Sequence, residues 1–395
     1  MYYPSFDAFK AKASQGNLIP VYREIMADLE TPVAAFLKLD RGDFSFLLES
    51  VEGGEKWGRY CFLGGEPSIV FQSKGSRVEI TRNGHSEVQD GVNPLDALKH
   101  LMQAYHPVEV EGLPRFFGGA VGYLTYDMVR FFERLPDQTV DDLDVPDAMF
   151  MITDTIVIFD HMLQKIKVVS NALVDGQPEK AYQEALAKID QLIDRLRQPV
   201  PPRPRQPPPL GQLTLTSNFS KEAYEAVVER AKEYIRAGDV IQVVPSQRFS
   251  APIAVEPFDI YRALRTVNPS PYMFYLKFGD LKLVGSSPEV NVRLEGSLIE
   301  LRPLAGTRRR GRHPAEDVEI AAELMQDPKE RAEHIMLVDL GRNDVGRVAK
   351  IGSVKVTELL QVEKYSHVMH LVSHIVGELA EGKDCYDVMR ATFPQ

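Results

Sequence analysis

The chain has 395 residues, of which 44% are hydrophobic, and a net charge of −10 at pH 7. That length supports a large core built as two domains or one intertwined one, while the acidity argues against a nucleic-acid groove or an anionic membrane surface as partner. Small anionic substrates are not excluded, because local cations and metals decide those. Cys61 and Cys385 are far apart and show no CxxC spacing, so neither a disulfide framework nor a zinc site is indicated and a reducing, cytoplasmic compartment is expected. The N-terminus lacks an apolar core followed by a small-residue cleavage site, and no apolar run reaches the length of a membrane span, so the expectation is a soluble, unsecreted protein.

In chain order, residues 33–49 (VAAFLKLDRGDFSFLLE) show two apolar runs around Arg41-Gly42-Asp43, which predicts strand, turn and strand. Glycine-rich segments follow at 53–67 and 116–127. Neither has a GKS/GKT ending or a strand-to-helix GxGxxG context, so they are read as glycines that allow sharp turns and close sheet packing rather than as phosphate cradles. Residues 150–160 and 163–170 are rich in β-branched side chains and predict paired strands. A helix is predicted from Glu179 to Arg197, its apolar stripe formed by Tyr182, Leu186, Ile189, Ile193 and Leu196. The stretch 199–210 (PVPPRPRQPPPL) has seven prolines in twelve residues and cannot form helix or interior sheet. It is read as a linker between an N-terminal region, 1–198, and a C-terminal region, 211–395.

Beyond it, Ser220 is a suitable N-cap for a helix that Gly238 would end. Strands are predicted at 239–249, 271–278, 281–287, 289–296 and 297–304, with connections short enough to make them antiparallel neighbours. Two helices, 314–326 and 328–346, and a strand pair near 353–361 and 367–378 complete the chain. The fold class is α+β, with large antiparallel β-sheets packed in a sandwich with outer helices.

The most chemically loaded run is PKERAEHIMLVDLGRND, 328–344. Pro328 suits the first helical position, and Glu330 and Glu333 fall three apart on one face with His334 beside them. Two carboxylates held that close repel unless a cation, a proton or an arginine lies between them. Four other features carry possible chemistry. Glu289, in GSSPE, starts a strand after a turn. Ala305-Gly306-Thr307 offers backbone N–H groups and a hydroxyl to an anion, just before an arginine cluster whose ordinary fate is solvation. In YSHVMHLVSH the β-branched alternation predicts a strand on which His370 and His374 share a face and His367 takes the other, which disfavours a three-histidine metal site but leaves one histidine as acid or base. NPSPYMF, 268–274, reads as core or as an apolar pocket.

Taken together, GDVIQVVPSQRF, NPSPYMFYL, GSSPE, RPLAGTRRRG, KERAEHIMLVDLGRND and KYSHVMHLVSHIVGEL, in that order, resemble the motifs of chorismate-using enzymes. The similarity is closest to the large component of anthranilate synthases, and LLES and FGGAVGYLTYDMVR extend it into the first half. The resemblance implies a lyase that turns chorismate and ammonia into anthranilate and pyruvate for tryptophan biosynthesis, with glutamine supplying the ammonia through a separate amidotransferase subunit. It implies Mg²⁺ at Glu333 and Glu330, a general acid at Glu289, proton transfer at His370, and substrate contacts from Gly306 and Thr307. Water-adding relatives carry a lysine where this chain has Gln242, and aminodeoxychorismate synthases a nucleophilic lysine where it has Ala305, so direct attack by ammonia is expected. LLES and NPSPYMF match a tryptophan-inhibitor pocket, in which Glu49 and Ser50 would meet the amino acid's polar end and Pro271, Tyr272 and Met273 line its apolar side. Family members usually continue past ATFPQ, so a C-terminally truncated chain, inactive alone, is also expected. The competing readings are aminodeoxychorismate synthase and a non-catalytic tryptophan-binding module.

Overall fold

The computed structural model describes residues 1–51, 58–202, 213–365 and 367–393. Its first part runs β1 (Tyr2–Tyr3), α1 (Phe6–Lys12), β2 (Leu18–Met26), α2 (Pro32–Leu39), β3 (Phe44–Glu49), β4 (Tyr60–Gly65), β5 (Ile69–Lys74), β6 (Arg77–Arg82) and β7 (His85–Gln89). Then come α3 (Pro94–Met102), β8 (Gly119–Leu124), β9 (Ala148–Thr153), β10 (Thr155–Asp160), β11 (Lys165–Leu173) and α4 (Pro178–Arg197). After the proline-rich stretch follow β12 (Thr216–Ser217), α5 (Lys221–Ala237), β13 (Phe249–Ser250), α6 (Pro257–Val267), β14 (Tyr272–Phe278), β15 (Leu281–Ser287), β16 (Arg293–Glu295) and β17 (Leu298–Leu301). The last elements are β18 (Leu304–Arg309), α7 (Pro314–Gln326), α8 (Pro328–Gly346), β19 (Lys355–Lys364), β20 (Val368–Glu378) and α9 (Cys385–Thr392).

Two compact units emerge, residues 1–201 with 261–395, and residues 202–260. The chain leaves the first at the proline-rich stretch and re-enters it at Tyr261. Of that stretch, 199–202 has neither helix nor strand, and 203–210 lies outside the described residues. The smaller unit holds the β12–β13 pair and α5, which starts where expected: the Ser220 side chain accepts from Ala223 N, and Gly238 closes the helix at φ 82°.

The larger unit is built on an eight-stranded sheet in the order β1-β2-β11-β10-β4-β3-β14-β15 and a five-stranded sheet in the order β7-β6-β5-β9-β8. Every strand pair in both is antiparallel. The two sheets share one core, in which Phe46, Ile158, Val169 and Leu276 of the first meet Val121, Met149 and Met151 of the second. That is the sandwich expected from the alternating patterns. Glycine permits its closest approach: a Cβ on Gly64 would stand 2.4 Å from the Phe46 ring. A third sheet runs β16-β17-β20-β18, with β19 on the other edge of β20. Beneath it, Ile299, Leu301, Val338, Val345 and Ile375 form one cluster, and Ile320, Leu324, Met369 and Leu371 another.

Several local expectations are corrected. Residues 32–39 form helix, not strand: Thr31 caps Ala34 N, Pro32 takes the first turn, and Pro32, Ala35, Phe36 and Leu39 bury one helical face. Residues 239–248 carry no strand, and only Phe249 and Ser250 pair. Strand β16 begins at Arg293, which leaves Glu289 in a loop, whereas residues 305–307, read as a run that could meet an anion, lie within strand β18.

Candidate active site

The site begins with the capping of α8. The Asp327 side chain accepts from Lys329 N at 2.9 Å and Glu330 N at 3.2 Å, and Pro328 occupies the first turn, so the helix starts on a fixed residue. Glu330 and Glu333, one turn apart, are each half-buried. His334 does not join them. It is fully buried with Nε2 2.6 Å from Ser373 Oγ, a contact that ties α8 to β20.

Strand β18 supplies the facing wall. Its pairing with β20 shifts register between Ala305 and Thr307, which makes Gly306 the extra residue of a bulge, at φ 71°. Side chains are excluded there: a Cβ on Gly306 would lie 3.3 Å from Glu330 Oε2, Leu324 Cδ1 and Leu371 Cδ1. Glu330 therefore lies directly over the bulge. Its other oxygen, Oε1, accepts from Arg308 Nη1 at 3.1 Å, while Arg308 Nη2 donates to Asp327 Oδ2 at 2.7 Å. Of the arginine cluster, Arg308 and Arg310 are drawn inward, Arg310 pairing with the buried Asp317, while the side chains of Arg309 and Arg312 stay largely exposed, as expected for a solvated patch.

The bulge places Thr307 opposite His370. His370 Nδ1 lies 3.2 Å from the Gly306 carbonyl and 3.1 Å from Thr307 Oγ1. A carbonyl only accepts, so the proton belongs on Nδ1 and Nε2 is left with a free lone pair. Burial lowers the His370 pKa, against a smaller opposing effect of the Gly306 contact, and the ring is neutral at pH 7. Glu289 joins from the loop after β15, its Oε1 accepting from Leu304 N at 3.1 Å. The residue is exposed by surface area, yet partial desolvation of its carboxyl raises its pKa, against the Leu304 hydrogen bond and the Arg302 charge. Ala305 is buried beside Gly306. Gln242 belongs to the smaller unit, in an exposed irregular stretch.

Among the described residues no group of three or more histidine, cysteine or carboxylate side chains could hold a metal. Glu330 and Glu333 nonetheless fit Mg²⁺, a hard cation that takes one or two carboxylates and completes its shell with water and substrate oxygens. With one oxygen held by Arg308, Glu330 turns the other toward the bulge.

Residues 44–395 match the model of the chorismate binding enzyme family. The chain belongs to that family. Anthranilate synthase component 1 of Acetivibrio thermocellus is 45% identical over 400 residues, 100% of this chain and 81% of the relative. The protein of the same name from Aquifex aeolicus is 46% identical over 99% of this chain and 79% of its own length. The crystal structure of anthranilate synthase component I from Streptococcus pneumoniae superimposes with a TM-score of 0.73 at 32% identity, covering 94% of this chain and 79% of that one. The menaquinone-specific isochorismate synthase of Escherichia coli, at 16% identity and a TM-score of 0.63 over 98% of this chain and 78% of its own, shares the fold.

This chorismate-binding chain carries a second constellation on its eight-stranded sheet. Glu49, at the end of β3, lies opposite Met273 of β14, and both are buried. Pro271 and Tyr272 lead into that strand, half-buried, and Ser50 continues from Glu49. Glu49 Oε2 accepts from the fully buried Tyr261 hydroxyl at 2.6 Å. Arg265 Nε lies 3.2 Å from the same oxygen as an ion pair, but off line for a hydrogen bond. Glu49 Oε1 and Ser50 Oγ are buried with no hydrogen-bond partner among the described residues. Sequence reasoning missed Tyr261, Arg265 and Arg308. The i, i+4 spacing of Tyr261 and Arg265 marks one helix face, but no local signal says that it meets a carboxylate 212 positions away.

Proposed function

We propose that this chain is the chorismate-converting component of an anthranilate synthase. In this reading chorismate and ammonia give anthranilate, pyruvate and water. The observation that carries it is the convergence around the β18 bulge of His370, whose pKa is lowered, Glu289, whose pKa is raised, and Glu330, the nearer member of a carboxylate pair of the type that holds Mg²⁺. Glu330 and Glu333 would hold the ion, which when bound supplies a Lewis acid for the ring carboxylate of chorismate. Gly306 and Thr307 orient the substrate. Glu289, whose raised pKa favours its protonated form, donates to the departing hydroxyl as ammonia attacks. His370 Nε2 then takes the ring proton as the enolpyruvyl ether bond breaks and pyruvate leaves. By the sequence resemblance, Ala305 and Gln242 replace lysines that serve other nucleophiles in related enzymes, which supports ammonia as the attacking group. A glutamine-hydrolysing partner subunit would supply it.

The buried unpaired oxygens of Glu49 and Ser50 support a regulatory reading of the second constellation. L-Tryptophan binds there as feedback inhibitor, its ammonium on Glu49 and Ser50 and its indole against Pro271, Tyr272 and Met273. Incubation of the natural full-length protein with chorismate, Mg²⁺ and ammonium tests the catalytic proposal. Growth of anthranilate fluorescence is expected, and an aminodeoxychorismate or isochorismate product, or no turnover, would refute it.

A further inference from the structure

The carboxylate of Glu49 is divided. Tyr261 and Arg265, both on α6, engage Oε2, whereas Oε1, like the hydroxyl of the next residue Ser50, is buried with no hydrogen-bond partner among the described residues. A buried carboxylate oxygen without a partner costs free energy, so an arrangement that leaves it so is poised for a donor from outside the fold. The division is imposed by the tyrosine. Its ring is fully buried and packs edge-on against Tyr275 of β14 at 6.0 Å, and Tyr275 in turn packs against Phe36 of α2 at 5.5 Å. The hydroxyl thus has a fixed position. Burial and the adjacent carboxylate both raise the Tyr261 pKa, so the hydroxyl remains a donor at any physiological pH. Arg265 lacks the alignment to hold Oε2 by a hydrogen bond. Without the tyrosine bond the carboxylate is free to rotate toward the arginine and pair through both oxygens, as guanidinium and carboxylate prefer.

We propose that Tyr261 is a positioning residue for ligand recognition: it holds one oxygen of Glu49 so that the other is reserved for the ammonium of a bound amino acid. This rests on the tryptophan reading of the pocket and goes beyond it. The selectivity for an α-amino group is placed in a tyrosine that does not itself meet that group.

The test is calorimetry on the full 395-residue chain with L-tryptophan and with indole-3-propionate, which keeps the ring and carboxylate but lacks the ammonium. Tyr261→Phe keeps the buried ring and removes only the hydroxyl. The expected result is a loss of roughly ten- to 150-fold in L-tryptophan affinity, the scale of one hydrogen bond to a charged group, with indole-3-propionate affinity unchanged. In a Glu49→Gln background, Tyr261→Phe should cost nothing further, because the oxygen it positions no longer carries the charge. Equal losses for both ligands, the same loss in the Glu49→Gln background, or unchanged L-tryptophan affinity would overturn the proposal. If the unmodified chain binds no L-tryptophan, the regulatory reading itself fails and takes this proposal with it, an outcome distinct from a variant that binds as well as its parent.

Discussion

Replacing His370 by asparagine separates geometry from proton transfer. The asparagine amide can still donate to the Gly306 carbonyl, which His370 Nδ1 now meets at 3.2 Å, so the β18 bulge keeps its partner. What is lost is the lone pair on Nε2. A positioned general base contributes about 10²–10⁴-fold, and kcat should fall by that factor, roughly 2.7–5.5 kcal/mol of barrier, with a small change in the KM for chorismate. The pH profile adds a second readout. Burial lowers the His370 pKa, and the neutral form is the base, so activity should hold as pH falls until a value below the usual histidine range and then decline. The His370→Asn variant should lack that acid limb. The assay is initial-rate anthranilate fluorescence at constant free ammonia, since ammonia itself protonates over the upper part of the range. A variant within threefold of the parent, a retained acid limb, or a limb above the ordinary histidine value would refute the assignment.

Glu289→Gln removes the acid and should lower kcat by about 10²-fold or more; the parent's activity should fall as pH rises through the raised Glu289 pKa, and steady-state rates across pH would show that limb gone in the variant. Arg308→Gln removes a positive charge 3.1 Å from Glu330, so Mg²⁺ titrated into the free chain should bind on the order of tenfold more tightly, and unchanged calorimetric affinity would contradict a metal at this pair. Gly306→Ala forces a Cβ into contacts of 3.3 Å at a positive φ; a loss of about 1–2 kcal/mol in urea unfolding is expected from the backbone alone, with a larger loss of turnover because Glu330 Oε2 is one of the atoms displaced.

Helix α8 was legible almost to the residue, because a proline at the first turn and helical periodicity agree; the Asp327 cap that fixes its start emerged only in the structure. The facing wall was not. Leu304 to Arg309 contains a glycine and a run of arginines, poor strand residues by propensity, yet β20 supplies ladder partners and α8 supplies counter-ions. Tertiary pairing overrides local preference there. Residues 32–39 misled for the opposite reason: an apolar run beside a turn reads as strand until Thr31 and Pro32 are taken as helix-starting signals. The segment 239–248 shows the same limit, since its alternation has no pairing partner beyond Phe249 and Ser250. His334 shared a helical face with the glutamates by spacing, and only Ser373 on β20 shows why it points inward.

The two constellations are linked by backbone, which bears on how an inhibitor at one could govern the other. Val51 N, just past Glu49 and Ser50, donates to Ser270 O at 3.1 Å, and Ser270 Oγ donates to Ser287 O at 2.7 Å. Ser287 Oγ then donates to Glu289 O at 3.0 Å, and Leu304 N to Glu289 Oε1 at 3.1 Å, two residues before the Gly306 bulge. Strands β3, β14 and β15 are laddered in one sheet, and residues 288–292, which carry Glu289, belong to no strand. A ligand changes turnover only if it binds two arrangements with different affinity, and proximity of sites is not enough. On the proposed reading, the arrangements differ in that loop: one keeps the Glu289 carboxyl on Leu304 N and facing the substrate, and the other, favoured when L-tryptophan occupies Glu49, draws it away.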